Sequence, residues 1–593
     1  MKKKETNATV YEGRNVFLRL FGYLARVKGR ALLALLLVIT SNGFALVGPY
    51  LSGKAIDAIG FDSATKTANV DFRQVFTFCA LMALFYVLSA GLSYALNVTM
   101  IKLTQSITRR IRGEAYNKLL ELPVGYFDKL QAGDVISRLS YDMDTINASF
   151  AGNILQIVTS TIAVFGSFFC MLAISPGMLG VFLLTVPLSV TYTLYKSKKV
   201  RPLFRRRSAD LGELSGFTEE MLSGAKTIRA YGREKAFSER YGKRNTEASE
   251  SFCTADQRAG GTLGPSVNFI NNVSLSMIGS VGAVMLVLGI MTPGNIASFI
   301  LYSKRFTGPI NEFSNILADL QSLRSAAERV FGMMDEAPET PDAPDAKPLG
   351  QVKGEVVFEH VHFGYEEGKE ILHGLDLKVE AGSTVAIVGP TGGGKTTIVN
   401  LLMRFYDPTS GRILLDGVPI DSLPRRDLRR AFTMVLQETW LMGGTVAENI
   451  AYGRQGATRE DVERAARAAG IHDFILTLPR GYDTRMEDGG LNVSKGQKQL
   501  LTIARSMLSD ASMLILDEAT SNVDTRTEQK IEKAMLRLME GKTCFVIAHR
   551  LSTVQNADCI LVVRDGDVVE KGTHEELMKK EGFYASLYQS QFS

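Results

Sequence analysis

The chain has 593 residues, which is too long for a single domain, so two or more domains are expected. A net charge of only +5 and the lack of a long basic tract give no indication of nucleic-acid binding. The five cysteines are scattered and form no CxxC pair, which argues against a disulfide framework and a zinc site. Long apolar runs fill the first half, whereas the second half has the composition of a soluble domain.

The N-terminal region predicts a retained membrane helix. The first long apolar run begins near Ala31, directly after Arg26, Lys28 and Arg30. A cleaved signal peptide places its apolar core earlier and ends in small residues, so we expect a helix whose basic end stays in the cytoplasm. Segment 14–27 is amphipathic and suits an interfacial helix that precedes this span.

Six segments are candidates for crossing the hydrocarbon core, which takes about 20 residues of helix. Basic residues concentrate in two long connections, 101–147 and 197–262, whereas the other three are short and carry few. The positive-inside rule therefore places these two connections and both termini in the cytoplasm. The sixth segment contains Lys304 and Arg305, which leaves its cytoplasmic end open. The six segments are 31–56, 74–99, 150–174, 178–196, 264–291 and 294–317.

The two long connections are polar but have helical spacing. Their breakers are local, with Pro123, Gly125 and Gly133 in the first and Gly224 and Gly232 in the second. We therefore expect membrane helices that continue into the cytoplasm and are joined there by short turns. The alternative is a pair of solvated basic loops, which would be unusually long.

A linker is predicted between the two halves. Residues 335–350 contain four prolines among alternating acids, a composition that cannot build a core. The predicted organisation is a transmembrane domain over 1–334, this linker, and an ATPase domain over 351–593.

The ATPase assignment begins with a glycine-rich loop. The apolar run 384–388 predicts a buried strand, and a helical pattern follows the loop, so the strand–loop–helix context of a P-loop is complete. Glycines let backbone N–H groups surround phosphates, and the helix N-terminus favours an anion. Lys395 is expected to reach the β- and γ-phosphates, and Thr396 to bind magnesium. The loop reads Gly389, Pro390, Thr391, Gly392, Gly393, Gly394, Lys395, Thr396 and Thr397.

A second apolar run, at 513–518, ends in two acids. Alone this is a weak signal, but about 120 residues after a P-loop it is the expected partner motif. Asp517 is placed to hold magnesium through water, and Glu518 to orient and polarise the attacking water.

With these residues the chain resembles the ATP-binding cassette exporters that carry a fused six-helix membrane domain, over nearly its whole length. Residues Val493, Ser494, Lys495, Gly496 and Gln497 look like the family signature, usually Leu-Ser-Gly-Gly-Gln. The resemblance implies that this segment opens a helix and binds the γ-phosphate of ATP held by the other subunit, as a helix N-terminus with a serine hydroxyl would.

The resemblance also assigns roles to single residues. Gln437 resembles the glutamine that touches magnesium, and His549 the switch histidine near the γ-phosphate. Tyr365 resembles the aromatic residue that stacks on adenine, with a core tyrosine as the alternative. Glu487 resembles the acid of the segment that contacts the cytoplasmic loops, and 521–524 the loop that crosses the dimer interface.

Two segments of the membrane half are similar to the family's cytoplasmic loops. They are 122–138, in the first long connection, and 227–234, in the second. The short turns predicted there would then be the coupling helices that dock on the ATPase domains.

The signature departs from the family pattern at Val493 and Lys495. In heterodimeric members one subunit often keeps the catalytic glutamate and carries an altered signature. We therefore expect a heterodimer in which Lys395, Asp517, Glu518 and His549 form the competent site with the partner's signature. A homodimer that tolerates Lys495 is the alternative.

The fold class implied is an α-helical transmembrane bundle followed by an α/β P-loop ATPase domain with a helical subdomain. The function implied is export of a hydrophobic or amphipathic drug or lipid across the cytoplasmic membrane, driven by hydrolysis of ATP with Mg²⁺. An importer of the same architecture, a homodimeric exporter of lipid or peptide, and an ATP-gated channel or regulatory subunit are the rivals.

Overall fold

The structure is a computed structural model that describes residues 13–62, 67–259, 261, 263–366, 368–437, 439–486, 493–517, 524–547 and 554–592. The chain forms two compact units. The first runs to Leu120 and then from Ala132 to Glu336, and the second comprises Glu121–Gln131 and Ala337–Ser593. Residues 122–131 of the family-like segment 122–138 therefore group with the second unit, and 132–138 group with the first.

The N-terminal half is helical. It contains one antiparallel hairpin, β1 (Ile59–Asp62) and β2 (Thr67–Val70), between its second and third helices. Its helices are α1 (Gly13–Ala25), α2 (Lys28–Asp57), α3 (Phe72–Glu121), α4 (Val124–Asp128), α5 (Ala132–Ser137), α6 (Met143–Ile174), α7 (Pro176–Ser223), α8 (Ala225–Ala230), α9 (Glu234–Ala259), α10 (Leu263–Val287) and α11 (Pro293–Asp335), with a π-helical turn at Arg138–Asp142.

Five helical stretches of the described chain are long and apolar enough to cross a membrane. They are Lys28–Asp57, Phe72–Glu121, Ala132–Ile174, Pro176–Ser223 and Asn268–Val287. Helix α11 is continuous over the sixth predicted segment but lies outside this set, and it includes Lys304 and Arg305. A sixth span therefore stays a prediction.

The predicted continuation of the apolar helices beyond the length of a membrane span is confirmed, while the cytoplasmic location of these extensions stays a prediction. Helices α3 and α7 have 50 and 48 residues, and about 75 Å of helix greatly exceeds the roughly 30 Å hydrocarbon core. The first connection breaks at Pro123, which lacks an N–H, and the short helix α4 follows. The second breaks at Gly224 and at Gly232, whose φ is +60°, on either side of the short helix α8.

Arg305 has a structural partner in α2. Pro49 lies inside α2 and cannot donate a hydrogen bond to the carbonyl of Ala45. Arg305 Nη1 donates to that oxygen at 2.9 Å, and the Tyr302 hydroxyl donates to the Leu46 carbonyl at 2.6 Å. Arg305 thus satisfies the carbonyl that the proline frees, and Tyr302 adds a second side-chain hydrogen bond between the two helices.

The second unit is built on a six-stranded sheet of order β14–β13–β5–β12–β11–β8, in which only β14 is antiparallel. An antiparallel sheet of order β4–β3–β6–β7 and a small pair, β9 with β10, complete it. The strands are β3 (Val356–Phe363), β4 (Leu372–Val379), β5 (Thr384–Val388), β6 (Ser410–Leu415), β7 (Val418–Pro419), β8 (Phe432–Val435), β9 (Gly444–Thr445), β10 (Arg485–Met486), β11 (Met513–Asp517), β12 (Thr543–Ile547), β13 (Cys559–Arg564) and β14 (Asp567–Gly572).

The central sheet separates two apolar cores. Along β5, Ala386 and Val388 face one core, while Val385 and Ile387 face the other, as the two-residue period of a strand requires. The first core is covered mainly by helices and the second by the antiparallel sheet with α12 and α13. The helices of this unit are α12 (Lys395–Leu402), α13 (Arg425–Arg430), α14 (Val446–Ala451), α15 (Arg459–Ala468), α16 (His472–Thr477), α17 (Lys495–Met507), α18 (Thr525–Met539), α19 (His574–Lys579) and α20 (Phe583–Phe592).

The proline-rich segment after α11 has no regular structure but is tied to the second unit. The backbone N–H of Arg425 donates to Asp342 at 3.0 Å, and its Nε donates to the carbonyl of Thr340 at 3.1 Å. Arg429 Nη1 donates to Glu339 at 3.2 Å. The predicted domain limits, 1–334, 335–350 and 351–593, stay a prediction.

Candidate nucleotide-binding site

The glycine-rich loop joins the buried strand β5 to helix α12. Gly389, Gly392 and Gly394 have φ values of +153°, +83° and +103°, which side chains rarely adopt. A Cβ on Gly389 would lie 2.0 Å from the carbonyl oxygen of Val563 on the neighbouring strand β13. Glycine is therefore required here both by backbone conformation and by close approach, and the loop keeps its backbone open for an anion.

Lys395 is the first residue of α12 and closes the loop. Its ammonium donates to the carbonyls of Gly389 and Pro390, both at 2.8 Å. Burial lowers the pKa of Lys395, and the carboxylate of Asp517 opposes that change. The ammonium is thus held half-buried above the loop, where an anion would meet it with little water to screen the charge.

Parallel strands bring further predicted residues to the same edge of the sheet. Asp517 ends β11 and lies in register with Ile547 of β12, and Ile547 lies in register with Ile387 of β5. Gln437 is exposed and follows β8, whose Val435 is in register with Leu516. The carboxyl ends of parallel strands form the ligand-binding edge of an α/β sheet.

Tyr365 is partly exposed beside the P-loop helix and is not a core residue. Its hydroxyl donates to Thr397 Oγ1 at 3.3 Å and accepts from Asn400 Nδ2 at 3.1 Å. Its ring makes an edge contact with Tyr406 at a centroid distance of 4.9 Å. Two hydrogen bonds and a ring contact therefore fix the position of an exposed aromatic face.

The two threonines after Lys395 occupy different environments. Thr396 is exposed, whereas Thr397 is buried and accepts the hydrogen bond from Tyr365. Thr391, at the tip of the loop, is also exposed. Only Thr396 therefore offers an accessible hydroxyl next to Lys395, in keeping with its predicted role as a magnesium ligand.

The signature-like segment starts helix α17, as predicted. Ser494 caps the helix by accepting from Gln497 N–H at 3.3 Å, and Gln497 Oε1 accepts from Ser494 N–H at 2.9 Å. Val493 is buried in the helix-covered core, which accounts for an apolar residue at that position. Gly496 is buried, and Lys495 is exposed at the first helical position.

Several predicted residues lie outside the described residues. These are Glu487, Glu518, His549 and the first three residues of the 521–524 loop. Asp524, the last residue of that loop, caps α18 by accepting from Thr527 N–H at 2.9 Å. That backbone hydrogen bond lowers the pKa of the Asp524 carboxyl.

The sequence reasoning did not single out Tyr406. It follows α12, and its ring lies against Tyr365. Its hydroxyl donates to Asp128 Oδ2 at 2.5 Å, and a Cβ on Gly125 would come within 2.8 Å of its ring. Burial and the hydrogen bond to Asp128 raise the pKa of Tyr406. Only the pattern Tyr-Phe-Asp in α4 could have signalled a docking point, because the pairing spans 278 residues.

The residues present fit a nucleoside triphosphate with Mg²⁺. The glycine conformations, the half-buried Lys395 and the partly exposed Tyr365 form a loop, a cation and an aromatic face along one helix. Among the described residues no group of three or more His, Cys, Asp or Glu side chains could hold a metal alone. Mg²⁺ characteristically uses one or two protein oxygens plus phosphates and water, and Thr396 with Asp517 match that pattern.

Comparison with known proteins gives the same assignment. Residues 31–310 match the family described as ABC transporter transmembrane region, and 372–521 match the family ABC transporter. A fatty acid ABC transporter ATP-binding/permease protein of Mycobacterium tuberculosis is 43% identical over 88% of this chain and 82% of its own length. An uncharacterised ABC transporter ATP-binding protein, YfiC of Bacillus subtilis, is 40% identical over 100% of this chain and 95% of its own length.

The fold comparison extends over both units. A bacterial Atm1-family ABC exporter with ATP bound superposes with a TM-score of 0.77 at 30% identity, covering 96% of this chain and 99% of that one. Since a membrane region and a nucleotide-binding region occur here on one polypeptide, the chain belongs to the ATP-binding cassette transporters, as an exporter-type half-transporter whose ATPase domain couples ATP hydrolysis to transport.

Proposed function

We propose that this chain is one half of a dimeric exporter that moves an acidic amphiphile of the fatty acid class out across the cytoplasmic membrane. The substrate class is inferred from the fatty acid transporter that is 43% identical to this chain. One observation supports the coupling of ATP hydrolysis to transport. Helix α4 lies in sequence between two apolar helices but groups with the nucleotide-binding unit.

The ATP site is proposed to work through named groups. Lys395 contacts the β- and γ-phosphates, and Tyr365 stacks on adenine. Thr396, Gln437 and Asp517 hold Mg²⁺, which neutralises charge on the phosphates. Glu518 polarises the attacking water, and His549 contacts the γ-phosphate. The N-terminus of α17, with Ser494, Lys495, Gly496 and Gln497, faces the ATP of the other subunit.

Transport then follows from a shift between two states. ATP held between two ATPase domains stabilises the closed pair only to the extent that the closed pair binds it better than the open one. The long helices α3 and α7 carry that movement to the membrane-spanning segments, because they continue unbroken beyond the bilayer. Hydrolysis returns the inward-facing state.

A heterodimer is the form that we favour. Lys495 places a positive charge on the first turn of α17, where the helix dipole disfavours a cation. The glycine that the family usually has at this position carries no charge. In a homodimer both ATP sites would carry this feature. Purification from the native cell under mild conditions tests the point. A second homologous chain in equal amount supports the heterodimer, whereas brisk, substrate-stimulated ATPase from this chain alone contradicts it.

The function itself is tested in inside-out vesicles that contain the purified dimer and a radiolabelled fatty acid. ATP should drive accumulation inside the vesicles, and Glu518→Gln should abolish both accumulation and turnover while ATP still binds. ATP-driven loss from preloaded inside-out vesicles would indicate an importer. Ion conductance on ATP addition without accumulation would indicate a channel.

A further inference from the structure

The first unit contains an apolar cavity at the N-terminal end of its first long helix. The cavity has a volume of about 690 Å³ and is bounded by α1, α2, α3 and α6. Its lining is almost wholly apolar, and Lys28 is the one charged residue on it among those the structure describes. Cavities of roughly 300–1,000 Å³ are typical of small-molecule sites. We call it the α2–α3–α6 cavity.

Two contacts define the ends of this cavity. At one end α2 and α3 are clasped by serines, because Ser89 Oγ donates to the carbonyl of Ser41 at 2.9 Å and Ser41 Oγ donates to the carbonyl of Ser89 at 3.3 Å. At the other end α1 is pinned to α3 by the Tyr23 hydroxyl, which donates to Glu114 at 2.5 Å. Along α3 the cavity lies between these two contacts, since its lining on that helix runs from Leu96 to Thr104.

The interior and the mouth differ in exposure. Ala34, Val38, Leu96, Met100 and Leu103 form a buried floor, with exposures of 2–8%. Phe21, Leu32 and Leu35 on the rim are each 47–67% exposed. The cavity is therefore open on one side, and that side lies on helices with the composition of membrane spans. With α2 and α3 in a bilayer, a lipid would have lateral access to it.

The charges at the mouth favour an acid. Lys28 lies at the start of α2, next to Arg26 and Arg30, and all three are exposed. The nearby acid, Glu114, is already engaged by Arg26 at 3.5 Å and by Arg110 at 3.2 Å. The described part of the chain provides no carboxylate within salt-bridge distance of Lys28. A carboxylate at the membrane surface would therefore meet a local excess of positive charge.

We propose that the α2–α3–α6 cavity binds a fatty acid from the cytoplasmic leaflet, with the acyl chain on the buried floor and the carboxylate on Lys28. The inference rests on the proposed function and adds a loading site on the membrane-facing side of the helices. Lipid tails are as apolar as the cavity, so moving the chain out of the bilayer yields little free energy. The ion pair with Lys28 and the shape of the floor must therefore supply the selectivity.

The test uses the purified dimer in nanodiscs and a palmitic acid that carries a diazirine near the chain end, with the labelled peptides located by mass spectrometry. Label is expected in residues 31–38 and 96–104. Ala34→Trp fills the floor and should remove the label, whereas Ala90→Trp, at an exposed position on α3 that does not line the cavity, should not. Equal labelling in the two variants overturns the proposal.

A second pair of variants tests the headgroup. In Lys28→Gln, about fivefold more unlabelled palmitate should be needed to halve the labelling. One basic residue near the membrane surface contributes about 1 kcal/mol to binding of an anion, which corresponds to about fivefold in affinity. Arg30→Gln, on the same helix but outside the lining, should raise the required palmitate concentration less than Lys28→Gln does. No difference between Lys28→Gln and wild type overturns the carboxylate assignment.

Three further readouts separate the possible failures. Nucleotide binding by each variant confirms folding. Cross-linking of Leu35→Cys to a helix of the second subunit would show that a protein segment fills the cavity, and it would overturn the lipid assignment. ATP-driven accumulation measured on the same preparations distinguishes the proposals: label without transport refutes the exporter substrate and keeps the site, whereas transport without label refutes the site alone.

Discussion

Two helices of the ATPase domain begin with a lysine, and they begin in opposite ways. Helix α12 starts at Lys395 after a glycine in the left-handed region, with no side-chain cap on its first amides. Helix α17 starts at Lys495 after Ser494, and a complete capping box satisfies its first turn. Lys395 is half-buried over its own loop, whereas Lys495 is exposed.

The difference shows what a finished anion site requires. At α12 the uncapped amides and the turned-back ammonium form a complete site within one chain. At α17 the serine already satisfies an amide, and the exposed lysine contributes charge without a surrounding loop. The second helix therefore offers half a site, which a phosphate held by another subunit would complete.

The largest expected effect comes from exchanging the two lysines for alanine in turn. Lys395→Ala should lower ATP turnover by about 10²–10³-fold, because it removes a positioned donor from the phosphates. Lys495→Ala removes a cation from a helix N-terminus, so α17 should gain about 0.3–1 kcal/mol and turnover should not fall by a comparable factor. Steady-state ATPase of the two variants measures the contrast, and equal losses would break the comparison.

The next effect concerns the loop glycines. Gly389→Ala puts a methyl group 2.0 Å from the Val563 carbonyl at a strained φ, so about 1–3 kcal/mol of stability should be lost together with nucleotide binding. Gly443→Ala is the matched control, since nothing lies within 4 Å of its added Cβ. Thermal unfolding and ATP binding check both variants, and wild-type behaviour of Gly389→Ala would refute the close approach.

A smaller effect separates capping from function. Ser494→Ala and Thr573→Ala each remove the hydroxyl of a capping box, at α17 and α19 respectively, and each should cost about 1 kcal/mol of stability. Only Ser494→Ala should also lower ATPase activity, because of these two capped helices only α17 is assigned to face ATP. Identical ATPase in the two variants would reduce Ser494 to a structural cap.

The smallest effect is a pH dependence of helix starts. The hydrogen bond from Thr527 depresses the folded-state pKa of Asp524, so its cap on α18 stabilises the fold above the unfolded pKa and is lost as pH falls through the folded pKa. The hydroxyl cap of α17 does not titrate. Amide exchange in the first turn of α18 should therefore rise below about pH 4 relative to α17. Asp524→Asn should remove the difference, and an unchanged difference would contradict the assignment.

Local pattern was sufficient to predict the elements that local chemistry determines. The glycine loop between a buried strand and a helix lies where the spacing indicated, and Pro123, Gly224 and Gly232 mark the turns between the long helices. Ser494 starts its helix as expected from a serine followed three residues later by glutamine.

Pairings between distant residues could not be predicted in this way. The Tyr406–Asp128 hydrogen bond spans 278 residues, and the bidentate pair between Arg329 and the buried Asp142 spans 187. The linker is held by Arg425, which lies more than 80 residues away in sequence. No periodicity reports such contacts, because each partner taken alone looks like an ordinary polar residue.

The central claim is that ATP joins the Lys395 loop of one subunit to the Ser494 helix of the other. It is tested by a disulfide between subunits, with Thr391→Cys in one chain and Lys495→Cys, or the equivalent signature position of a distinct partner, in the other. In a Glu518→Gln background otherwise free of cysteine, ATP with Mg²⁺ should produce the cross-linked dimer and its omission should not. Cross-linking of equal yield with and without ATP would contradict the account.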